Sequence, residues 1–232
     1  MSAQDILKLS EIFSSVQGEG PSAGEPAVFL RLALCNLRCG FCDTRYTWDF
    51  EQYDYEREVS TAPVESVLAR VLSHSERRLI ITGGEPIMQQ RALSSLIAQL
   101  PSDWQIEVET NGTLIPNASL LQRVDQWNVS PKLAHSEEPL ERRMKPEVLR
   151  VLLATQRAYL KLVVRDAGDR EEVEAVVSAL EWPKSRVFLM PEARTVPEHR
   201  GRGDHVAELA RQLAVRYSPR LHVLMFGGER GR

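Results

Sequence analysis

The run Ala27-Val28-Phe29-Leu30-Arg31-Leu32-Ala33-Leu34-Cys35-Asn36-Leu37-Arg38-Cys39-Gly40-Phe41-Cys42 decides how the rest of the chain reads. Its first half is almost wholly apolar, the pattern of a strand buried on both faces in a parallel sheet. Its second half holds all three cysteines of the chain. Thiols so close together need a common ligand, since otherwise they are an oxidation hazard. A disulfide framework does not suit an odd count at so tight a spacing. Structural zinc takes four N/S ligands, usually as two separated pairs, and this loop has no histidine; the nearest is His74. An iron–sulfur cluster held by thiolates in a short loop fits the spacing better than zinc, and a purely structural role comes third. Three protein ligands leave one iron of a 4Fe–4S cluster open for chemistry, as a catalytic metal keeps an open position. The strand ends at this loop, and parallel α/β sheets place their sites at such strand ends.

The remaining chain repeats the rhythm of strand, polar turn and helix. Residues 7–16 alternate loosely and enter Gln17-Gly18-Glu19-Gly20-Pro21, a tight turn by its glycines and proline. A hairpin turn is the simpler reading, although Gln17 and Glu19 could also hydrogen-bond a heterocycle. Strands are expected at 78–82, 105–110, 127–132, 159–164, 186–190 and 221–226. Helices are expected from Pro63 and Val64 onward, over 89–100, over 146–154, over 169–180 with Asp169 as cap, and over 205–217 after Gly203-Asp204. The polar stretch 134–147, twice interrupted by proline, reads as a surface crossing or lid. This pattern predicts an α/β fold with a mainly parallel sheet. The strands are too few for a closed eight-stranded barrel. A partial, open TIM-like barrel of about six parallel strands with flanking helices follows.

Polar residues gather at the predicted strand ends: Gly83-Gly84-Glu85-Pro86, then Glu109-Thr110-Asn111, then Ser130-Pro131-Lys132. Arg31 interrupts the apolar strand and must meet an anion there. A structural salt bridge and a substrate carboxylate are about even readings.

The chain has 232 residues, read as a single domain over 1–232, with 43% hydrophobic and 26% charged residues and a net charge of −3. These values suit a globular protein without a nucleic-acid footprint. No apolar run approaches about 18 residues, so no membrane span is expected. Met1-Ser2-Ala3-Gln4-Asp5 lacks the regions of a signal peptide. Reduced thiols without a signal are expected in the cytoplasm.

Cys35-x3-Cys39-x2-Cys42, with aromatic Phe41 before the last cysteine and Gly83-Gly84-Glu85-Pro86 downstream, resembles the radical S-adenosylmethionine (SAM) superfamily. Other runs narrow the resemblance: Ser10 through Gly20, Phe29-Leu30-Arg31, Cys42-Asp43-Thr44, Tyr46-Thr47-Trp48, Ser130-Pro131-Lys132 and the ending from His222. Together they resemble the 7-carboxy-7-deazaguanine synthase family across nearly the whole chain.

That resemblance implies conversion of 6-carboxy-5,6,7,8-tetrahydropterin to 7-carboxy-7-deazaguanine with loss of ammonia, on the route to queuosine and other 7-deazapurines. It implies a 4Fe–4S cluster on Cys35, Cys39 and Cys42, and Mg²⁺ on Thr44. It implies SAM contacts from Phe41, Cys42, Asp43, Gly84, Glu85 and Ser130-Pro131-Lys132, and from Met190-Pro191-Glu192-Ala193. The pterin falls to Val16, Gln17, Gly18, Arg31 and Thr82. No protein nucleophile is implied, because the hydrogen-abstracting group comes from SAM. A homodimer and a flavodoxin- or ferredoxin-like electron donor are implied as well. The rivals are a radical SAM activase working on a protein partner and a non-enzymatic Fe–S binding module. An activase has no need of Gln17 through Gly20 or a buried Arg31, and an electron carrier normally has four cysteines.

Overall fold

A computed structural model describes residues 5–232, and one sheet runs through it in the order β3-β1-β2-β4-β5-β6-β7-β8-β9. The strands are β1 (Ile6–Val16), β2 (Pro26–Leu32), β3 (Ser60–Pro63), β4 (Arg78–Gly83), β5 (Gln105–Thr110), β6 (Gln126–Val129), β7 (Ala158–Val164), β8 (Val187–Pro191) and β9 (Arg216–Tyr217). From β2 to β9 each neighbour is parallel, while β1 pairs antiparallel with β2 and β3. Since β9 is only two residues long, six parallel strands carry the fold. Its two edge strands do not meet, so the barrel is open as expected.

Helices flank the sheet: α1 (Tyr55–Glu58), α2 (Val64–Leu72), α3 (Gln90–Ala98), α4 (Ala118–Arg123), α5 (Leu140–Arg143), α6 (Pro146–Ala154), α7 (Arg170–Ala179), α8 (Val196–Leu213) and α9 (Leu221–Phe226). Apolar stripes such as Leu93, Leu96 and Ile97 on α3, and Val148, Leu149 and Leu152 on α6, pack onto alternate strand residues. Those partners include Leu30, Leu32, Ile106, Val108, Leu160 and Leu162. Successive strand side chains point to opposite faces, so Arg31, Thr82, Glu107, Glu109, Asn128 and Lys161 fall on the concave face. The strands are therefore buried on both sides, with apolar packing outside and a polar network inside.

Several sequence expectations are corrected. Residues 221–226, expected as a strand, form α9, whose Leu221 N–H donates to Gly18 O at 2.9 Å. A short apolar run has no periodicity that separates strand from helix. Helix α8 begins at Val196, not near 205, because Thr195 and Glu198 form a capping box. Residues 216–217, placed in that helix, form β9. Asp169 precedes α7 without capping it, since its carboxylate turns to His135. The stretch 134–147 is no surface lid: His135, Ser136, Glu138 and Arg143 are buried in it. Residues 17–25 join β1 to β2 as the expected hairpin, and the same turn also borders the site.

Candidate active site

At the C-terminal edge of the parallel strands lies a cavity of about 460 Å³. Its seat is the joint between β2 and the cysteine loop. Gly84 N–H donates to Leu32 O at 3.0 Å, and Glu85 N–H donates to Leu34 O at 2.8 Å. A Cβ on Gly83 would lie 2.1 Å from Leu32 O, and one on Gly84 would lie 1.9 Å from Leu34 O. Only glycine permits this approach, at Gly83 with a φ of +125° as well. The paired glycines thus brace the loop from below.

From the other side, the segment around α5 clamps the loop. Gly40 N–H donates to Ser136 O at 3.1 Å, Arg38 N–H donates to the Glu138 carboxylate, and Arg142 donates to Asn36 O at 2.7 Å. Cys35, Cys39 and Cys42 all border the cavity. Burial pushes the Cys35 thiol up to about 12 and the Cys39 thiol up to about 11. Thiols held so high need a bound cation to become thiolates. Leu37 N–H donates to Cys35 Sγ at 3.5 Å, and Trp48 Nε1–H donates to Cys42 Sγ at 3.3 Å. Such donors tune cluster sulfurs. Among the described residues no three ligating groups converge on a single ion. Three thiols on one cavity wall instead fit a multi-iron cluster, each on its own iron. The donor set therefore fits the 4Fe–4S group.

Beside the loop, Phe41, Asp43, Gly84, Ser130, Lys132, Met190 and Glu192 border the cavity, whereas Glu85, Pro131, Pro191 and Ala193 do not. Glu85 is held by the protein itself. Its fully buried carboxylate accepts from Ile87 N–H at 3.0 Å, Thr110 Oγ1 at 2.8 Å and Asn111 N–H at 2.7 Å. It orders the neighbouring strand end. Burial raises its pKa, against the pull of these donors.

A second stretch of the cavity wall is formed by Val16, Gln17, Gly18, Arg31 and Thr82, together with Thr44. Thr82 Oγ1 donates to Glu109 at 2.7 Å, and Gln17 Nε2 donates to its other oxygen at 3.2 Å. Arg31 Nε lies 3.3 Å from Glu11 but is shielded and makes no hydrogen bond. Thr44 Oγ1 sits 3.6 Å from Cys42 Sγ, next to the cluster position.

Sequence reasoning missed a charged group that closes this wall. Buried Glu19 pairs with Lys161, with Arg220 at 2.9 Å and, at 3.8 Å, with His222. Burial opposes its charge, yet Lys161 and Arg220 hold its carboxyl far below the usual range. Asp43, paired with Arg220 and still open to solvent, is lowered by that guanidinium. Burial lowers the pKa of His222. A Cβ on Gly18 would meet His222 Nδ1 at 2.2 Å, so that glycine admits the imidazole. Lys161 was legible by the logic applied to Arg31, as a lone cation inside an apolar strand. Arg220 and His222 carried no such mark.

Comparisons with known proteins agree with this geometry. Residues 32–180 match the radical SAM superfamily. The 7-carboxy-7-deazaguanine synthase of Pyrobaculum aerophilum is 38% identical over the full length of both chains. That of Hyperthermus butylicus is 36% identical over 95% of this chain and 93% of its own. The crystal structure of QueE from Escherichia coli superposes with a TM-score of 0.70 at 25% identity, covering 96% of this chain and all of that one. With its cysteine loop, open barrel and full-length relatives, the chain belongs to the 7-carboxy-7-deazaguanine synthase family of the radical SAM superfamily.

Proposed function

We propose that the cavity converts 6-carboxy-5,6,7,8-tetrahydropterin to 7-carboxy-7-deazaguanine with loss of ammonia, and that its two walls divide the ligands between them. Arg31 carries the reading. Its guanidinium borders the cavity, its Nε has no hydrogen-bond partner among the described residues, and its planar fork matches a carboxylate. Gln17, Thr82 and Glu109 form a hydrogen-bonding edge suited to the ring nitrogens and amino group of a pterin.

Cys35, Cys39 and Cys42 would hold the 4Fe–4S cluster. Phe41, Asp43, Gly84, Ser130, Lys132, Met190 and Glu192 would hold SAM beside it. Thr44 would give its hydroxyl to Mg²⁺, which takes few protein ligands and keeps substrate oxygens and water. When bound, the cluster and SAM supply the one-electron chemistry that starts hydrogen abstraction from the pterin. The chain's part is orientation and exclusion of water. Arg31 fixes the carboxylate end, Glu109 fixes the ring edge, and the Glu19–Lys161–Arg220 group gives this wall a rigid charged backing. No side chain is required as nucleophile.

The same reading includes a single-domain homodimeric enzyme of the cytoplasm, reduced by a flavodoxin- or ferredoxin-like donor. The family relationship supports it, and no helix among the described residues is long and apolar enough to cross a membrane. The test is anaerobic cluster reconstitution followed by incubation with SAM, Mg²⁺, reductant and the carboxypterin. Appearance of the deazaguanine product supports the assignment. SAM cleavage on a full cluster without that product overturns it.

A further inference from the structure

His135 belongs to no assigned set of residues, yet its surroundings are unusual. It sits in the turn Ala134–Ser136, with its side chain only 1% exposed. Its Nδ1 lies 3.1 Å from Asp169 Oδ1 at the start of α7. Arg165 N–H donates to the second Asp169 oxygen at 2.6 Å. Burial works against the Asp169 charge, but these donors keep its pKa lowered. The ionised carboxylate therefore takes the imidazole Nδ1–H, which fixes the ring.

The far side of the ring is incomplete. Nε2 faces Glu192 Oε2 across 3.6 Å, and both atoms are shielded without a hydrogen-bond partner. The second Glu192 oxygen is 3.3 Å from Arg202 Nη1. Shielded polar atoms left unpaired are costly, and this gap exceeds hydrogen-bond length by only a few tenths of an ångström. The imidazole also packs on Phe41, with ring centroids 4.9 Å apart. Phe41 and Glu192 border the cavity from two different elements, the cysteine loop and the end of β8, whereas His135 lies behind both.

We infer that His135 is a positioning residue that sets the separation of Phe41 and Glu192, and so the width of the slot for SAM. The inference rests on the reading above that these two residues form the SAM side of the cavity. A rigid Asp169–His135 pair braces Phe41 through its ring face and offers Nε2 as a stop for the Glu192 carboxylate. The unmade contact closes when a ligand seats the end of β8 against it with one proton shared between Nε2 and the Glu192 carboxyl.

The test uses reconstituted holoenzyme and equilibrium binding of SAM, with the KM of the carboxypterin measured alongside. His135→Asn keeps a group at the Nδ1 position and removes the Nε2 arm. It is expected to weaken SAM binding about tenfold, with pterin KM and iron content unchanged. His135→Gln, whose amide reaches the Nε2 position, is expected to recover most of that loss. Glu192→Ala is expected to match His135→Asn, and the double variant to be no worse than either alone. SAM affinity within twofold of the parent in His135→Asn, with Glu192→Ala clearly weakened, overturns the inference and leaves the site reading standing. SAM affinity unmoved in both overturns the assignment of this wall to SAM, and the inference with it. Equal loss of SAM affinity, pterin affinity and iron in both His135 variants marks a purely structural role and also overturns it.

Discussion

Arg31 shows how one residue was half legible. Its charge within an apolar strand demanded an anion, and the sequence left a salt bridge and a substrate carboxylate equally open. The structure supplies the salt bridge and sets the guanidinium on the cavity wall. Glu11 holds the guanidinium in place by charge at 3.3 Å, but Tyr46 at 2.7 Å and Arg230 at 2.9 Å take the same carboxylate oxygen as hydrogen-bond donors. Arg31 is thus anchored by charge at the border of the cavity. Hydrogen bonds to a charged partner contribute about 1.5–3 kcal/mol. Arg31→Gln should therefore raise the KM for the carboxypterin by about 10- to 100-fold and leave SAM affinity intact. Steady-state kinetics beside SAM binding measure this, and a KM within threefold of the parent would remove Arg31 from the carboxylate. At the same scale, the sequence marked Glu85 by its glycine motif but not the three donors that hold its carboxylate in place.

Elements were legible where periodicity was long. Helices α3 and α6 and strands β5 and β7 fall within a residue or two of expectation because their apolar spacing continues for several turns or alternations. The start of α8 lay open to view in Thr195-Val196-Pro197-Glu198, whose capping chemistry outranks the glycine at position 203. The paired glycines at 83 and 84 are the brace of the cysteine loop. Gly84→Ala should keep its far-UV circular dichroism and lose most of its reconstituted iron, since the added Cβ pushes Leu34 O and the loop aside. Iron content per chain checks it, and a full cluster in that variant would show that the loop is seated from elsewhere. The C-terminal segment after α9 is tied down differently. Arg230 meets Glu11 and, at 2.6 Å, Glu58, and stacks 3.9 Å over the Tyr46 ring. Its side chain is 44% exposed, so these pairs are screened. Arg230→Met should raise the pterin KM by roughly three- to tenfold. Added salt should raise the parent's KM but not the variant's. Equal salt dependence in the two would deny the ionic latch.

Across the whole molecule, the site depends on contacts that no local pattern announces. Arg220 reaches Glu19 across 201 positions of sequence and Asp43 across 177, joining the end of the chain to the first turn and to the cysteine loop. Such a buried group is costly to break, about 3 kcal/mol for loss of one partner. Arg220→Met should thus lower the Tm of the apoprotein by about 6–12 °C at neutral pH. The sign of the pH effect follows from the direction of the shifts. Glu19 and Asp43 have folded pKa values below their unfolded values near 4.5 and 3.8. Their ion pairs therefore contribute fully above that range, and the contribution fades as pH falls through it toward the folded values. Glu85 and Glu107, raised by burial, respond in the opposite sense, so the pH profile of the parent alone mixes the two. The difference between parent and Arg220→Met isolates the first pair. That gap in Tm should be widest near pH 7 and narrow steadily below about pH 4.5. A gap that stays constant down to pH 3 would mean that Arg220 holds the two ends of the chain by packing, with its charge irrelevant to stability.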